Sequence, residues 1–502
     1  MTLTDPGPTP QYASVGAARD GVGIDDGADA AVPSVGLLAP SLVLLAAVTG
    51  LLAALAPVLA VAAGGLVLLT AAVAIRPIAG TYLVLALTPL LAGVDRGAVV
   101  PLLRPNEAIF FFVVGIVVSR AVVLWVRGHR VPWAFRRLDG ALLALAFTSS
   151  VLPVLWLTAR GEDLTGDDLQ HAVTLWKYFL LYLLVRGTVR TEREVARCLW
   201  LALAAAAVVA VVAILQSLQI APVTSFVATY YAPFGNERAV ANQRGTSTLA
   251  SSIAVGDVMA YSLAIALGWL LRGSRHRLVL VVLSVLLVLG GLGSGQFSGA
   301  IALAVAVAAV GFITGQLRRA AYAAVPAAAV GALLLRPVIE RRLSGFSSRE
   351  GLPHSWVGRM ENLQTFFWPE LFRDFNFVLG VRPSSRVPAT ETWRDFVWIE
   401  SGHTWLLWSG GIPLFLAFFY FLWTALSGVA AVARDRHDAI GAAAVACFAA
   451  LCVLAVLMTL DLHLTLRGSA DLLFPLLALA LTRDAPTSAG SPGGSRTRSA
   501  AA

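Results

Sequence analysis

A succession of apolar runs, each near the roughly 20 residues that cross a bilayer as a helix, most restricts what this chain can fold into. The runs lie at 36–55, 57–75, 80–94, 106–126, 139–158, 171–187, 197–217, 247–271, 278–293, 298–316, 320–336, 403–433, 439–460 and 469–482. They predict an all-α, polytopic integral membrane helical bundle of about 12 to 14 transmembrane helices. Composition agrees: 58% of the 502 residues are hydrophobic and only 13% charged, which excludes a soluble globular class.

The segments outside the runs set the domain plan. Residues 1–35 are rich in Gly, Pro, Ala and Asp, have no helical period, and are expected to form a disordered cytoplasmic tail. The opening MTLTDPGPTPQYA lacks the basic-then-apolar layout of a signal peptide, so the first span is expected to remain as an anchor. Transmembrane helices are expected over 36–336 and 403–482, an extracytoplasmic loop over 337–402, and a second disordered cytoplasmic tail over 483–502. The loop is 66 residues long and holds eight acids, eight arginines and eleven Phe or Trp, too aromatic for a structureless linker. Within it SWVGRMENLQTFFWPELF, from Ser355, spaces its apolar residues as an amphipathic interfacial helix containing Arg359.

Basic residues number 37, all arginine except Lys177. They fall in short clusters between apolar runs, as cytoplasmic anchors do, so nucleic acid is not an expected partner. With the N-terminus inside, the inner connections hold 17 arginines and the short outer ones six, namely Arg96, Arg104, Arg160, Arg238, Arg244 and Arg467. That bias places both termini in the cytoplasm, in a multi-pass protein of the cytoplasmic membrane. Cys198, Cys447 and Cys452 lie in predicted spans at spacings that fit neither a zinc site nor a disulfide framework.

Ionisable residues inside spans are few, because an unpaired charge in hydrocarbon costs several kcal/mol. Lys177 and Asp257 are two, each near the outer end of its span, where they could meet in an outward cavity; a structural ion pair for Asp257 and an outward-snorkelling Lys177 form the alternative. Arg244, in NQRGTSTLASS ahead of a span, has the fork of donors and nearby helix N-terminus that grip a phosphate; a lipid-headgroup contact is the competing use. GGLGSGQFSGA, from Gly290, has no lysine at P-loop spacing and reads as a tight turn between closely packed helices. His403 begins the first span after the long loop, with Glu400 one turn before it, and its imidazole is a usable base near neutral pH; a helix-capping surface histidine would look the same.

The run His403-Thr-Trp-Leu-Leu-Trp-Ser-Gly-Gly-Ile resembles the motif of O-antigen ligases and related polysaccharide polymerases. The order of features is similar too: many spans, an Arg-x-x-x-Thr stretch (Arg244 to Thr248) before a span, then a long outer loop just ahead of the histidine. The resemblance covers roughly residues 170–430, judged by order and side of the membrane. It implies a metal-independent glycosyltransferase without cofactor that takes a glycan from an undecaprenyl pyrophosphate donor outside the cytoplasmic membrane. The partners implied are that donor, an acceptor glycan or lipid, and other polysaccharide-assembly proteins. By the same resemblance His403 activates the acceptor hydroxyl, while Arg244 and Arg359 hold the pyrophosphate. Many members carry Ser-Arg-Gly where this chain has Phe297, Ser298 and Gly299, so the charge expected there would come from Lys177 or Arg382. No Asp-x-Asp pair is present to hold a divalent metal. Two other classes remain open: a flippase for lipid-linked sugars, which would show repeats and broken helices at the midplane, and a scaffold whose loop binds a cell-wall enzyme.

Overall fold

The computed structural model describes residues 57–129, 134–231, 244–343, 354–389 and 395–482. The expected span 36–55 and both tails lie outside these residues. The described chain is all-helical, its β-structure being one hairpin of two three-residue strands, β1 (Arg386–Pro388) and β2 (Phe396–Trp398), with Arg386 opposite Trp398.

The helices are α1 (Pro57–Ile75), α2 (Ile78–Leu91), α3 (Pro105–Val126), α4 (Arg137–Thr148), α5 (Val151–Ala159), α6 (Gly166–Ala172), α7 (Thr174–Thr188), α8 (Glu192–Ser217) and α9 (Ala221–Tyr231). After them come α10 (Ser252–Leu271), α11 (Arg277–Gly293), α12 (Phe297–Thr314), α13 (Leu317–Leu334), α14 (Arg336–Leu343), α15 (His354–Asn362), α16 (Trp368–Phe372), α17 (Gly402–Asp435), α18 (Ala439–Leu457) and α19 (Ala470–Ala480). Eight are long and apolar enough to cross a membrane: α3, α4 with α5 taken together, α8, α10, α12, α13, α17 and α18. Four further apolar helices are shorter. The protein is therefore a multi-pass helical membrane protein.

Two helices form the centre. Within their apolar windows α10 is 83% and α18 78% buried, against 11% for α3, which gives most of its surface to lipid. Lipid is as apolar as the helices, so burial alone does not drive them together, and close backbone approach must. Small residues provide it. A side chain at Gly256 of α10 would meet Gly299 of α12 at 2.9 Å, and one at Gly290 of α11 would meet Ala210 of α8 at 2.8 Å. The glycines after Gly290 thus serve helix packing, with the turn itself made by Gly295 at φ +62°.

Helix ends are capped by the sequence around them. Thr191 accepts from the backbone N–H of Glu194 while Glu194 accepts from that of Thr191, and Ser401 and Asp438 cap α17 and α18. Contacts at these ends define two ends of the bundle. Arg186 bonds Asp139 at 2.5 Å, Arg136 reaches the Leu481 carbonyl at 2.9 Å, and Arg272 reaches the Ala433 and Arg436 carbonyls. This is the arginine-rich end. The opposite end carries residues 354–389 and 395–400 and is called the loop-bearing end.

Two expected spans depart from simple rods. The run 139–158 is broken between α4 and α5, where the Thr148, Ser149 and Ser150 hydroxyls donate back to the Ala144 and Ala146 carbonyls and satisfy freed backbone groups. The run 403–433 reverses inside α17 at Gly411, whose φ of +64° and ψ of −158° are accessible to glycine alone. A straight helix would separate His403 from Phe419 by about 24 Å, yet their rings lie 6.4 Å apart and nearly parallel. The first limb of α17 is folded back on the second. The helix expected from Ser355 is likewise interrupted, by a π turn at Leu363–Phe367 between α15 and α16.

Candidate functional site

The polar centre of the loop-bearing end is the segment Asp461–Asp471, which joins α18 to α19. Its sequence, DLHLTLRGSAD, places four ionisable groups in eleven residues. Local bonds shape it: the Asp461 carbonyl accepts from His463 N–H at 2.9 Å, and Asp471 accepts from the N–H of Gly468 at 2.8 Å. Gly468 has φ +83° and leaves only 2.7 Å between a hypothetical side chain and Leu249, which seats the segment on the turn that Arg244 heads.

Its side chains engage three other elements, α15, α10 and α7, and through Lys177 a fourth, α3. Arg359 of α15 donates to the Leu460 carbonyl at 3.0 Å and pairs with Asp461 at 3.4 Å and Glu400 at 3.7 Å. His463 Nδ1 lies 2.8 Å from Asp257 of α10, both fully enclosed. Tyr178 of α7 donates to the Thr465 carbonyl at 3.3 Å. Lys177 lies 3.2 Å from Asp471 and 3.9 Å from Glu107 of α3, and Glu107 also receives two bonds from Arg96 at 3.1 Å and one from the Arg104 N–H at 3.2 Å. The sequence left open whether Lys177 and Asp257 meet or Asp257 forms a separate structural ion pair. They do not meet; each takes a partner from the Asp461–Asp471 segment instead.

Electrostatics follow from this enclosure. Burial opposes the charge on His463, but the Asp257 carboxylate at hydrogen-bond distance outweighs it and raises the imidazole above its ordinary value. The His463 Nε2 atom is buried without a partner among the described residues. Burial pushes Arg467 down to about 10, with the neighbouring Arg104 charge acting in the same direction.

A second polar patch ties the end of the long loop to α6. Arg382 pairs with Asp168 at 2.8 Å, the Ser384 N–H donates to Asp168 at 3.1 Å, and Arg386 pairs with Asp167 at 3.3 Å while lying 4.3 Å over the Trp398 ring. Burial raises Asp168, but the Arg382, Thr165 and Ser384 bonds override it and hold the carboxyl below its ordinary value. Trp408 of α17 donates to the Ser384 carbonyl at 2.9 Å, so this patch also positions the first limb of α17. Arg382, expected as a substitute charge, is thus committed to Asp168.

His403 stands at the start of that limb beside Phe415 and Phe419. It is half-buried, and no hydrogen bond or ion pair among the described residues engages its ring. Glu400, three residues before it, is the second carboxylate that pairs with Arg359, so the α15 guanidinium is tied to the chain just ahead of α17.

No family model matches this chain, and no curated protein does. Its geometry must carry the functional reading.

Of the residues singled out in the sequence, Arg359 is linked to the approach to His403 only through Glu400, and it is itself answered by the two carboxylates Asp461 and Glu400. Lys177 sits in the neighbouring cluster, neutralised by two carboxylates. Arg244 heads a buried turn whose Gly245 N–H donates to the Gly293 carbonyl and whose Ser247 N–H donates to Gln216. No hydrogen bond or ion pair among the described residues joins Arg244 to His403, Arg359 or Lys177. Asp461, His463 and Asp471 were missed. The density of ionisable groups between two apolar runs is the signal that marks them.

Proposed function

We propose that the protein is a membrane glycosyltransferase that transfers or polymerises a glycan from an undecaprenyl pyrophosphate carrier at its loop-bearing end, extracytoplasmic by the arginine bias. The reading joins the O-antigen ligase and polymerase resemblance to one observation: Arg359 pairs with Glu400, three residues before an unengaged His403 at the start of α17. A diphosphate leaving group gains negative charge in the transition state, and a non-titrating guanidinium is suited to stabilise it. An acceptor hydroxyl must lose a proton, and an imidazole without a competing hydrogen bond is suited to take it. In this scheme Arg359 and Arg244 hold the pyrophosphate, His403 is the base, and Lys177 acts indirectly by fixing Asp471. A single displacement would invert the donor sugar.

A second reading is favoured by one feature. The α4–α5 break and the α17 reversal meet, because a side chain at Gly410 would strike the Thr148 carbonyl. Two interrupted helices in contact are a construction of secondary transporters, which fits a transporter of lipid-linked sugars. One experiment separates the two readings: purified protein in vesicles is given a polyprenyl pyrophosphate oligosaccharide, and the glycan is followed by mass and by side of the membrane. Growth of the glycan, or its appearance on a new acceptor, supports transfer. Movement across the bilayer with the donor unchanged supports transport and refutes transfer.

A further inference from the structure

The arginine-rich end contains a cavity of about 940 Å³ between the C-terminal ends of α10, α12 and α17. Arg272, Arg277, Arg319, Arg434 and His437 line it, and none of the lining residues is acidic. The carboxylates nearest in sequence supply little of the missing charge: Asp435 is outside the lining, and Asp438, which acts on Arg272, is bound by Arg436.

Three helix C-termini contribute a partial negative charge of roughly −0.5 each, about −1.5 in all. Four guanidinium groups exceed that, and the N-termini of α11 and α13, which start at Arg277 and Leu317, offset part of it further. Arg272 is spent on capping α17, donating to carbonyls and not to carboxylates, so its charge is oriented but not cancelled. Arg319 bonds the neutral side chain of Gln316 at 2.9 Å. The cavity thus holds excess positive charge with no protein anion in it. One wall is apolar and open, with Phe312 70% exposed, so a ligand with both phosphate and hydrocarbon fits better than a wholly polar one.

We propose that this cavity is a binding site for phosphate groups, filled by the headgroup of an anionic membrane lipid whose chains lie along Phe312. Basic pockets between helix ends suit headgroups with two phosphates. The site is at the end of the bundle opposite His403 and does not depend on the glycosyltransferase reading.

The test uses the full-length protein in detergent, titrated with cardiolipin, with phosphatidylcholine, or with pyrophosphate at matched phosphate, while the melting temperature is followed. Cardiolipin is expected to raise it by at least about 3 °C and phosphatidylcholine to leave it unchanged. The shift should fall by at least half when Arg277→Gln, Arg319→Gln and Arg434→Gln are combined. It should persist when Arg127→Gln, Arg190→Gln and Arg193→Gln are combined, which removes as much charge from the same end but outside the cavity. Should the first combination not fold, Arg319→Gln alone, at an exposed position, is expected to give a partial loss. Protection by cardiolipin alone identifies a lipid headgroup as the source, and equal protection by pyrophosphate identifies the phosphate itself. Equal shifts with cardiolipin and phosphatidylcholine, or an undiminished shift in the cavity variants, would overturn the proposal.

Discussion

Lys177 and His403 are both ionisable groups near the loop-bearing end, and the fold treats them in opposite ways. Lys177 is enclosed and answered by Asp471 and Glu107, which are themselves held by the Gly468 N–H, Arg96 and the Arg104 N–H. His403 rests against two phenylalanines with its nitrogens unengaged among the described residues. A charge in hydrocarbon demands a partner, so the first arrangement is required for the protein to insert and fold. The second contributes no hydrogen bond to folding. A group positioned by a helix reversal, yet unused by the fold, is the one free to act on a substrate.

The comparison predicts that removing a partner from the closed cluster costs stability, whereas changing the open imidazole does not. The largest effect is expected for Asp471→Asn, which leaves Lys177 without its nearest counter-ion: about 3–5 kcal/mol, read as a lower melting temperature in detergent. His403→Gln should stay within about 0.5 kcal/mol in the same assay. Equal losses for the two would break the comparison.

A smaller effect is expected at the reversal that positions His403. Gly411→Ala places a side chain at positive φ and against the Val378 carbonyl, at a cost of about 1–3 kcal/mol. Gly358→Ala, in the middle of α15 with no atom within 4 Å, should not destabilise and serves as the control. If transfer is retained in full by Gly411→Ala, the reversal does not position the base.

The smallest effect concerns pH. The folded value of His463 is raised, so the stability its pairing with Asp257 contributes is fully present below the ordinary histidine value and is lost as pH rises through the folded one. Melting temperature should therefore decline from mildly acidic to alkaline pH. Asp257→Asn should abolish that dependence. A slope unchanged by this variant would assign it to another group.

The apolar runs made the membrane class legible, and the Trp398–Ile412 junction drew attention to His403, because both signals are local. The rest was hidden for physical reasons. Hydropathy does not register φ, so the reversal at Gly411 and the break at Thr148–Ser150 lie inside runs that look continuous. Pairings such as Asp257 with His463 and Lys177 with Asp471 join residues hundreds of positions apart, and sequence spacing holds no trace of them. The connection after residue 460 looked ordinary, and Asp471 fell inside the run 469–482, because their partners lie on α7, α10 and α15. Arg359 drew notice because its helix has a period of its own.

The central claim is tested most directly by the rate at which purified protein releases polyprenyl diphosphate from a glycan-bearing donor in the presence of acceptor, measured for the unaltered chain and for His403→Ala. The account predicts release by the unaltered chain and a fall of at least about 100-fold in the variant, with the melting temperature unchanged. Release at the same rate by both proteins, or by neither, would contradict it.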